Sequence, residues 1–516
     1  MKIIDNRALL LKVRDAERIT KIIPKSRVMK AHDDHYEVLV NWGMDEVQVL
    51  RNLNIKNVPS PILTQYHWRG MYKPFDHQKT TASFLTLHRR AFCFNEQGTG
   101  KTGSVIWAAD YLMDLGFVKR VLVICPLSIM DSAWRSDLFK FAMHRRVDIA
   151  YGARDKRKEV IGGDSEFTVI NFDGVEIIAD DIAQAGFDLI VVDEANAYKN
   201  PGTKRWKVLN RLLKPHTRLW MLTGTPAAQS PVDAYGLAKL VCPDRVPKYG
   251  SIFRDQVMYK INQFKWIPRP DSETIVHDAL QPAIRFTKEQ CLDLPEMTYV
   301  TRDVPLSDQQ KKYYEIMRKE MLIYADGEQI TTINAAANLN KLLQLSGGCV
   351  YSDTGEVVEF DADNRLSILE EVIDEASHKV LVFVPFRHAI EAVSAYLNKH
   401  YTVEVIHGGI SAGARTKIFD QFQNEKDPRV LVIQPQAASH GVTLHAANTI
   451  VYWSPVMSVE TYLQANARVH RAGQRNPCTV VHLQGSPVEK RLYKMLQDKI
   501  DVHNKITELY GELLTL

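Results

Sequence analysis

The chain has 516 residues, too many for one ordinary domain and enough for about three. Its 45% hydrophobic and 24% charged residues are the composition of a soluble globular protein, and no apolar run reaches the roughly 18 residues a membrane helix needs. The net charge of +4 is too small to draw in a polyanion as a whole, so nucleic acid must meet a local basic surface.

The opening stretch MKIIDNRALLLKVRDAERITK carries acids early and lacks a signal-peptide core, which argues against secretion. Six cysteines (Cys93, Cys125, Cys242, Cys291, Cys349, Cys478) form no CxxC pair, which argues against a zinc site and for the reduced thiols of a cytoplasm. The first ~70 residues read as strand–helix–strand–strand–helix up to the Pro-rich boundary Asn57–Pro61. They show no chemical constellation, and a small accessory α/β domain that contacts DNA or protein is expected over residues 1–70.

Beyond this boundary, apolar β-branched runs alternate with helical stretches: Ala91–Phe94, Val121–Cys125, Phe167–Asn171, Leu189–Glu194 and Leu219–Thr225. Continuous apolar strands separated by helices indicate a buried parallel sheet. Residues 240–296 lack that rhythm and read as an insertion and linker. The rhythm then returns in Val380–Pro385, Val403–Gly408, Val430–Pro435, Thr449–Trp453 and Thr479–Leu483. The expected class is α/β with two lobes on parallel sheets, over residues 71–285 and 286–516.

The sharpest motif is Asn95-Glu96-Gln97-Gly98-Thr99-Gly100-Lys101-Thr102, between a strand and a helix. Glycines let backbone N–H groups wrap phosphates, and a helix N-terminus adds positive potential. Lys101 is expected to reach the terminal phosphates and Thr102 to bind Mg²⁺. The full Walker pattern is not met, because no glycine stands four places earlier. Asp193-Glu194 end the strand Leu189–Val192, where Asp193 suits the metal and Glu194 the attacking water. Thr223–Pro226 end the next strand. In the second lobe Arg468 and Arg471 are three apart and on a helix share one face; such a pair can act as an arginine finger, but by itself it reads rather as a solvated basic helix face.

Taken in order, these motifs resemble the superfamily 2 helicase engines and, within them, the Swi/Snf-like DNA translocases. Lys73–Gln78 is similar to the adenine-reading Q motif, with Gln78 in the glutamine place, and Glu96–Thr102 to motif I. Val121–Trp134 resembles motif Ia, which in the family contacts the DNA backbone. Asp193-Glu194-Ala195 with Lys199-Asn200 resembles motif II, and Thr223–Pro226 motif III. Phe383 lies in a motif IV-like strand, Gly441–Asn448 matches the end of motif V, and Gln464–Gln474 resembles motif VI with its HRxGQ ending. Asn196 departs from the usual histidine, and Ala438, Ser439 and Thr443 depart from the usual motif V.

The resemblance implies two RecA-like lobes, ATP and Mg²⁺ as cofactors, and double-stranded DNA as partner. Gln78, Gly98, Thr99, Gly100, Lys101, Thr102 and Gly441 would bind nucleotide, Thr102 and Asp193 the metal. Lys101, Asp193, Glu194, Arg468 and Arg471 would carry catalysis. The implied activity is a DNA-dependent ATPase that translocates on duplex DNA and remodels protein–DNA complexes, in a bacterial cytoplasm and akin to compact bacterial or bacteriophage members. A strand-separating helicase, a motor subunit of a nuclease or defence complex, and a binding module with a vestigial engine are the rival readings. Two further groups mix charge with other chemistry. Lys199, Lys204, Arg205, Lys207 and Arg211 read equally as phosphate contacts or a solvated helix face; Lys260, Lys265 and Arg269 with Tyr259, Phe264 and Trp266 suit a backbone-gripping protrusion.

Overall fold

The computed structural model describes residues 1–224, 230–261, 266–291, 294–327, 332–351, 356–438, 442–471 and 473–498. The chain packs as two units, the first running to Thr287 apart from two short stretches and the second from Lys288 onward.

Strands β1 (Lys2–Ile4), β2 (Ala8–Val13), β3 (Arg27–Ala31) and β4 (Tyr36–Asn41) form an antiparallel sheet of order β1-β2-β4-β3. Side chains alternate across it, so Leu9, Leu11, Val38 and Val40 enter a core with Ile19, Ile23, Trp42, Val47 and Leu50. Lys12 and Glu37, one residue out of phase, belong to the opposite face. The three-residue β1 is absent from the sequence pattern because it is too short to show a period.

The main sheet of the first unit holds β5 (Arg90–Cys93), β6 (Val121–Cys125), β7 (Val147–Ala150), β8 (Phe167–Asn171), β9 (Leu189–Asp193), β10 (Arg218–Leu222) and, after the hairpin β11 (Met258–Lys260) and β12 (Trp266–Pro268), β13 (Ala283–Ile284). Its order is β13-β5-β10-β9-β6-β8-β7, all parallel. β6, β8 and β10 are buried along their whole length, which is why they read as unbroken apolar runs. The region taken as pure insertion and linker is partly sheet: β13 pairs with β5 through Ala283↔Phe92 and Ile284↔Cys93. Two residues are too few to leave a sequence signal.

The second unit holds β14 (Met297–Asp303), the ribbon β15 (Cys349–Tyr351) and β16 (Val357–Glu359), β17 (Lys379–Phe383), β18 (Val403–Ile406), β19 (Val430–Ile433), β20 (Ala447–Tyr452) and β21 (Cys478–Gln484). Its main sheet, β14-β21-β20-β17-β19-β18, is again all parallel. The α/β class with two RecA-like lobes therefore holds. A buried ion pair pins this unit: Arg365 meets Glu489 at 2.8 Å, the two side chains 2% and 0% exposed. Glu489 also accepts from the Gly485 and Ser486 N–H groups at 2.8 and 3.1 Å, so one carboxylate caps the helix Pro487–Gln497 and neutralises the guanidinium. All six cysteines are free, four of them buried. Among the described residues no helix is long and apolar enough to cross a membrane.

On β21, His482 is fully buried, 2.9 Å from the Tyr462 hydroxyl and stacked on Tyr493. Burial pushes its pKa down to about 4, against about 6.5 in an unfolded chain. Between those values the unfolded chain holds a proton that the folded one refuses, so stability is whole above pH ~6.5 and falls by roughly 3 kcal/mol toward pH ~4. Urea melts across that window are expected to show a shallower pH slope in His482→Gln than in the wild-type protein.

Candidate active site

The loop after β5 turns back on itself through two glycines in the left-handed region, Gly98 at φ 86° and Gly100 at φ 78°. Gly100 caps the helix Lys101–Asp114, and a Cβ there would stand 2.1 Å from the Gln78 amide nitrogen. A side chain there would be strained by the left-handed backbone and would push the Gln78 amide aside. Gln78 itself sits in the first turn of the helix Asp76–Leu87, its amide oxygen accepting from Phe75 N–H at 2.9 Å and its nitrogen 3.5 Å from the Gly100 carbonyl. The structure thus brings Gln78 against the glycine loop. Lys101 Nζ donates to the Asn95 carbonyl at 2.8 Å, which folds the lysine over the loop. Thr102 follows in the first helical turn and Thr99 is buried.

Asn95 is nearly fully buried. Its Nδ2 donates to Thr81 Oγ1 at 2.8 Å, and its Oδ1 accepts from Phe286 N–H at 3.0 Å. One side chain thus ties the loop to the Gln78 helix and to the segment after β13. The far end of the Lys101 helix is fastened as well. Buried Asp110 accepts from the Tyr66 hydroxyl at 2.5 Å and from Arg145 Nε at 2.6 Å, with His144 at 2.8 Å. Burial raises its pKa, but the Tyr66 and Arg145 hydrogen bonds outweigh it and hold the carboxyl below the usual range.

Parallel pairing sets Leu222 of β10 level with Cys93 on one side and Asp193 on the other. The acid therefore ends its strand at the same edge from which the glycine loop leaves. Both its oxygens are held: Oδ1 accepts from Glu194 N–H at 3.0 Å, and Oδ2 from the indole of Trp134, also at 3.0 Å. A carboxylate is a ligand type that suits a hard cation. Glu194 adopts φ 56° and ψ 58°, a left-handed conformation costing a non-glycine residue on the order of 1–3 kcal/mol and concentrated at functional sites. Thr223 follows β10, is buried, and donates its N–H to the Cys93 carbonyl at 3.1 Å. Thr225 and Pro226 lie outside the described residues.

In the second unit the helix Val459–Asn466 ends before the two arginines, so they do not share a helical face as expected. A run of turns replaces it, with Arg468 N–H on Ala465 and Val469 N–H on Asn466. The arginines still converge: Arg468 Nη1 lies 3.4 Å and Arg471 Nη1 3.1 Å from the same Val442 carbonyl. His470 Nε2 donates to the Pro295 carbonyl at 2.8 Å, a positioning contact. Gly441, Ser439 and their neighbour at 440 lie outside the described residues.

The two ambiguous basic groups separate. Lys204, Arg205 and Arg211 pair with Glu176, Asp173 and Asp180 at 3.6, 2.9 and 3.0 Å, which favours a neutralised helix face. In the hairpin, Arg269 is spent on the Asp255 and Met258 carbonyls. Arg254 lies 4.5 Å and Lys260 6.0 Å from the Trp266 ring centre. Phe264 and Lys265 fall outside the described residues. The residues missed in sequence are Asn95, Asp110 and Trp134, which act through other residues and carry no motif chemistry. Trp134 lay inside a motif read for a different contact.

Residues 40–352 match the family model of the SNF2-related domain, and residues 364–473 that of the helicase conserved C-terminal domain. The chain is 27% identical over 439 residues to chromodomain-helicase-DNA-binding protein 1-like of Mus musculus, covering 80% of this chain and 47% of that protein. It is 24% identical over 442 residues to protein p41 of Acyrthosiphon pisum secondary endosymbiont phage 1, covering 80% and 93%. An uncharacterized ATP-dependent helicase of Mycoplasma genitalium is 25% identical over 421 residues, 80% of this chain and 40% of that one. The chain spans less than half the length of the mouse and mycoplasmal relatives. Among solved structures it is similar to the Sulfolobus solfataricus SWI2/SNF2 ATPase core in complex with dsDNA, at 22% identity and TM-score 0.43, covering 87% of this chain and 97% of that one.

Trp134→Phe keeps a ring in the core but removes the N–H that holds Asp193 Oδ2. A hydrogen bond to a charged group contributes about 1.5–3 kcal/mol, so the Mg²⁺ concentration giving half-maximal nucleotide hydrolysis should rise about tenfold or more. An Mg²⁺ titration checks this, with recovery of turnover at saturating Mg²⁺.

Proposed function

Because the chain belongs to the SNF2-related domain family, with a helicase C-terminal domain following, we propose that it is a DNA-dependent ATPase that translocates on double-stranded DNA and remodels protein–DNA complexes. The observation that carries this reading is the single sheet edge from which both the Gly98–Lys101 loop and the doubly held Asp193 emerge. A glycine loop at a helix N-terminus, beside a carboxylate that ends a neighbouring strand, is the equipment for a magnesium nucleotide.

In this reading Gln78 reads the adenine, Gly98–Thr102 hold the phosphates, and Lys101 draws charge from the terminal ones. Thr102 and Asp193 fit the magnesium ion, which when bound neutralises phosphate charge. Glu194 orients the attacking water, and Arg468 and Arg471 stabilise charge that develops on the γ-phosphate. Gly441 belongs to the same nucleotide-binding set by sequence. The choice of duplex DNA rests on the family and on the DNA-binding name of the mouse relative, an argument by analogy. The exposed β11–β12 hairpin, with Lys260 and Arg254 around Trp266, is our candidate for a grip on the backbone. Residues 1–70 form an accessory domain open to a protein or DNA partner. The setting we favour is a bacterial cytoplasm.

ATPase rates with duplex DNA, single strands, RNA and no nucleic acid, measured in parallel, test the substrate. Duplex DNA should stimulate most, and the stimulation should fall steeply with salt because phosphate contacts release counterions. A third strand should be displaced from a triplex while the duplex stays paired. Efficient unwinding of a tailed duplex would favour a strand-separating helicase instead.

The arginine assignment has its own test. Arg471→Ala is expected to bind ATP and DNA nearly normally yet hydrolyse about 10³–10⁵-fold more slowly, the scale of an arginine finger. Arg471→Lys should rescue poorly, since an ammonium cannot reproduce the planar fork. Nucleotide affinity and single-turnover hydrolysis, measured on the same preparations, separate the two effects.

A further inference from the structure

The hairpin joining β3 to β4 is His32-Asp33-Asp34-His35, followed by Tyr36 and Glu37. The His32 N–H donates to the His35 carbonyl at 2.9 Å, so these residues face each other across the turn. Opposed residues in a hairpin point their side chains to one face, and Glu37, two residues beyond His35, shares it. The imidazole rings accordingly stack, with centres 4.5 Å apart and planes within 9°. One ligand atom each from His32, His35 and Glu37 lies within 4.8 Å of the other two.

Two details distinguish this trio from a chance surface group. Asp34 Oδ1 lies 2.7 Å from His35 Nδ1. That carboxylate holds the proton on Nδ1 and leaves Nε2 as the lone-pair nitrogen, the arrangement by which an outer carboxylate orients a metal-bound histidine. His35 Nε2 is itself shielded from solvent and has no hydrogen-bond partner among the described residues. A buried, unpaired imidazole nitrogen needs an explanation, and a cation shared with His32 and Glu37 supplies one.

We propose that His32, His35 and Glu37 form a transition-metal site for Zn²⁺ or a similar borderline divalent ion, with Asp34 as the carboxylate that orients His35. Two imidazoles and a carboxylate suit zinc, and three protein ligands leave a fourth position for water or a partner's side chain. Side-chain rotations bring the ligand atoms to the spacing of about 3.3 Å set by metal–ligand bonds near 2.0 Å. Lys12 and Lys30 pair across β4 with Glu37 and oppose a cation, so binding is weaker than in a closed structural site. The ion would tie the exposed strand β3 to β4 and stiffen the outer edge of the accessory sheet. This site is independent of the ATPase reading.

The test uses the full chain, stripped with EDTA and free of nucleotide, titrated with Zn²⁺ alone by calorimetry and with Co²⁺ alone by visible absorption. The wild type should bind one equivalent that His32→Ala and His35→Ala lose or weaken at least tenfold. Asp34→Asn should weaken it by about 10–100-fold, the usual effect of removing an outer partner. Thermal unfolding of all three without metal should match the wild type, which reports that they fold. No wild-type binding, or binding equal in wild type and the histidine variants, overturns the proposal.

Discussion

Everything at the candidate site depends on the parallel register of three neighbouring strands. β5, β10 and β9 are hydrogen-bonded so that Cys93, Leu222 and Asp193 stand level. Parallel strands share a direction, so the loops that follow them all leave at one edge. Strands are ~4.8 Å apart, which puts Asp193 about 10 Å from the strand that feeds the glycine loop. That gap is the width in which a phosphate chain and a cation can be handled together. A register slip of one residue in β9 would move Asp193 off that level and turn its side chain to the other face of the sheet.

The polar groups that hold the site are mostly buried and act mainly through other side chains. Asn95, Asp110 and Trp134 do not carry the chemistry proposed for Lys101 or Asp193; each fixes something that does. The second unit follows the same logic through different bonds. Tyr452 donates to Asn466 at 3.0 Å, Gln474 donates to the Ala447 carbonyl at 2.8 Å, and the segment between them carries both arginines to the Val442 carbonyl. These contacts orient long, flexible side chains before any ligand arrives, which reduces the ordering cost of binding.

What was legible in the sequence follows burial. The central strands of both sheets are covered on two faces, so they appear as unbroken apolar runs, and the strand–glycine–helix and strand–acid junctions could be read from them. β7, β13 and β14 are short or half exposed and lack that signature. The arginine pair was read as helical because its spacing fits, yet the helix stops at Asn466 and local turns set the geometry. The positioning residues were hidden because an asparagine, an aspartate or a tryptophan inside a core looks like packing until its partner is known. The histidines at 32 and 35 were passed over for a related reason. Two histidines with two acids between them mean little in a linear reading, and only the hairpin makes them neighbours.

The pairing of β14 with β21 bears on how the second unit is made. Asp303 and Gln484 meet across 181 residues, and Arg365 finds Glu489 across 124. At ~5–20 residues per second of synthesis, β14 waits about 10–35 s for its partner to leave the ribosome. During that interval seven residues present an unpaired edge to any other nascent strand. In the first unit Phe92 of β5 likewise waits for Ala283 of β13, about 190 residues later, so it meets a similar delay. The hazard of misassembly is therefore shared by both lobes, each of which seals an early strand with a late one.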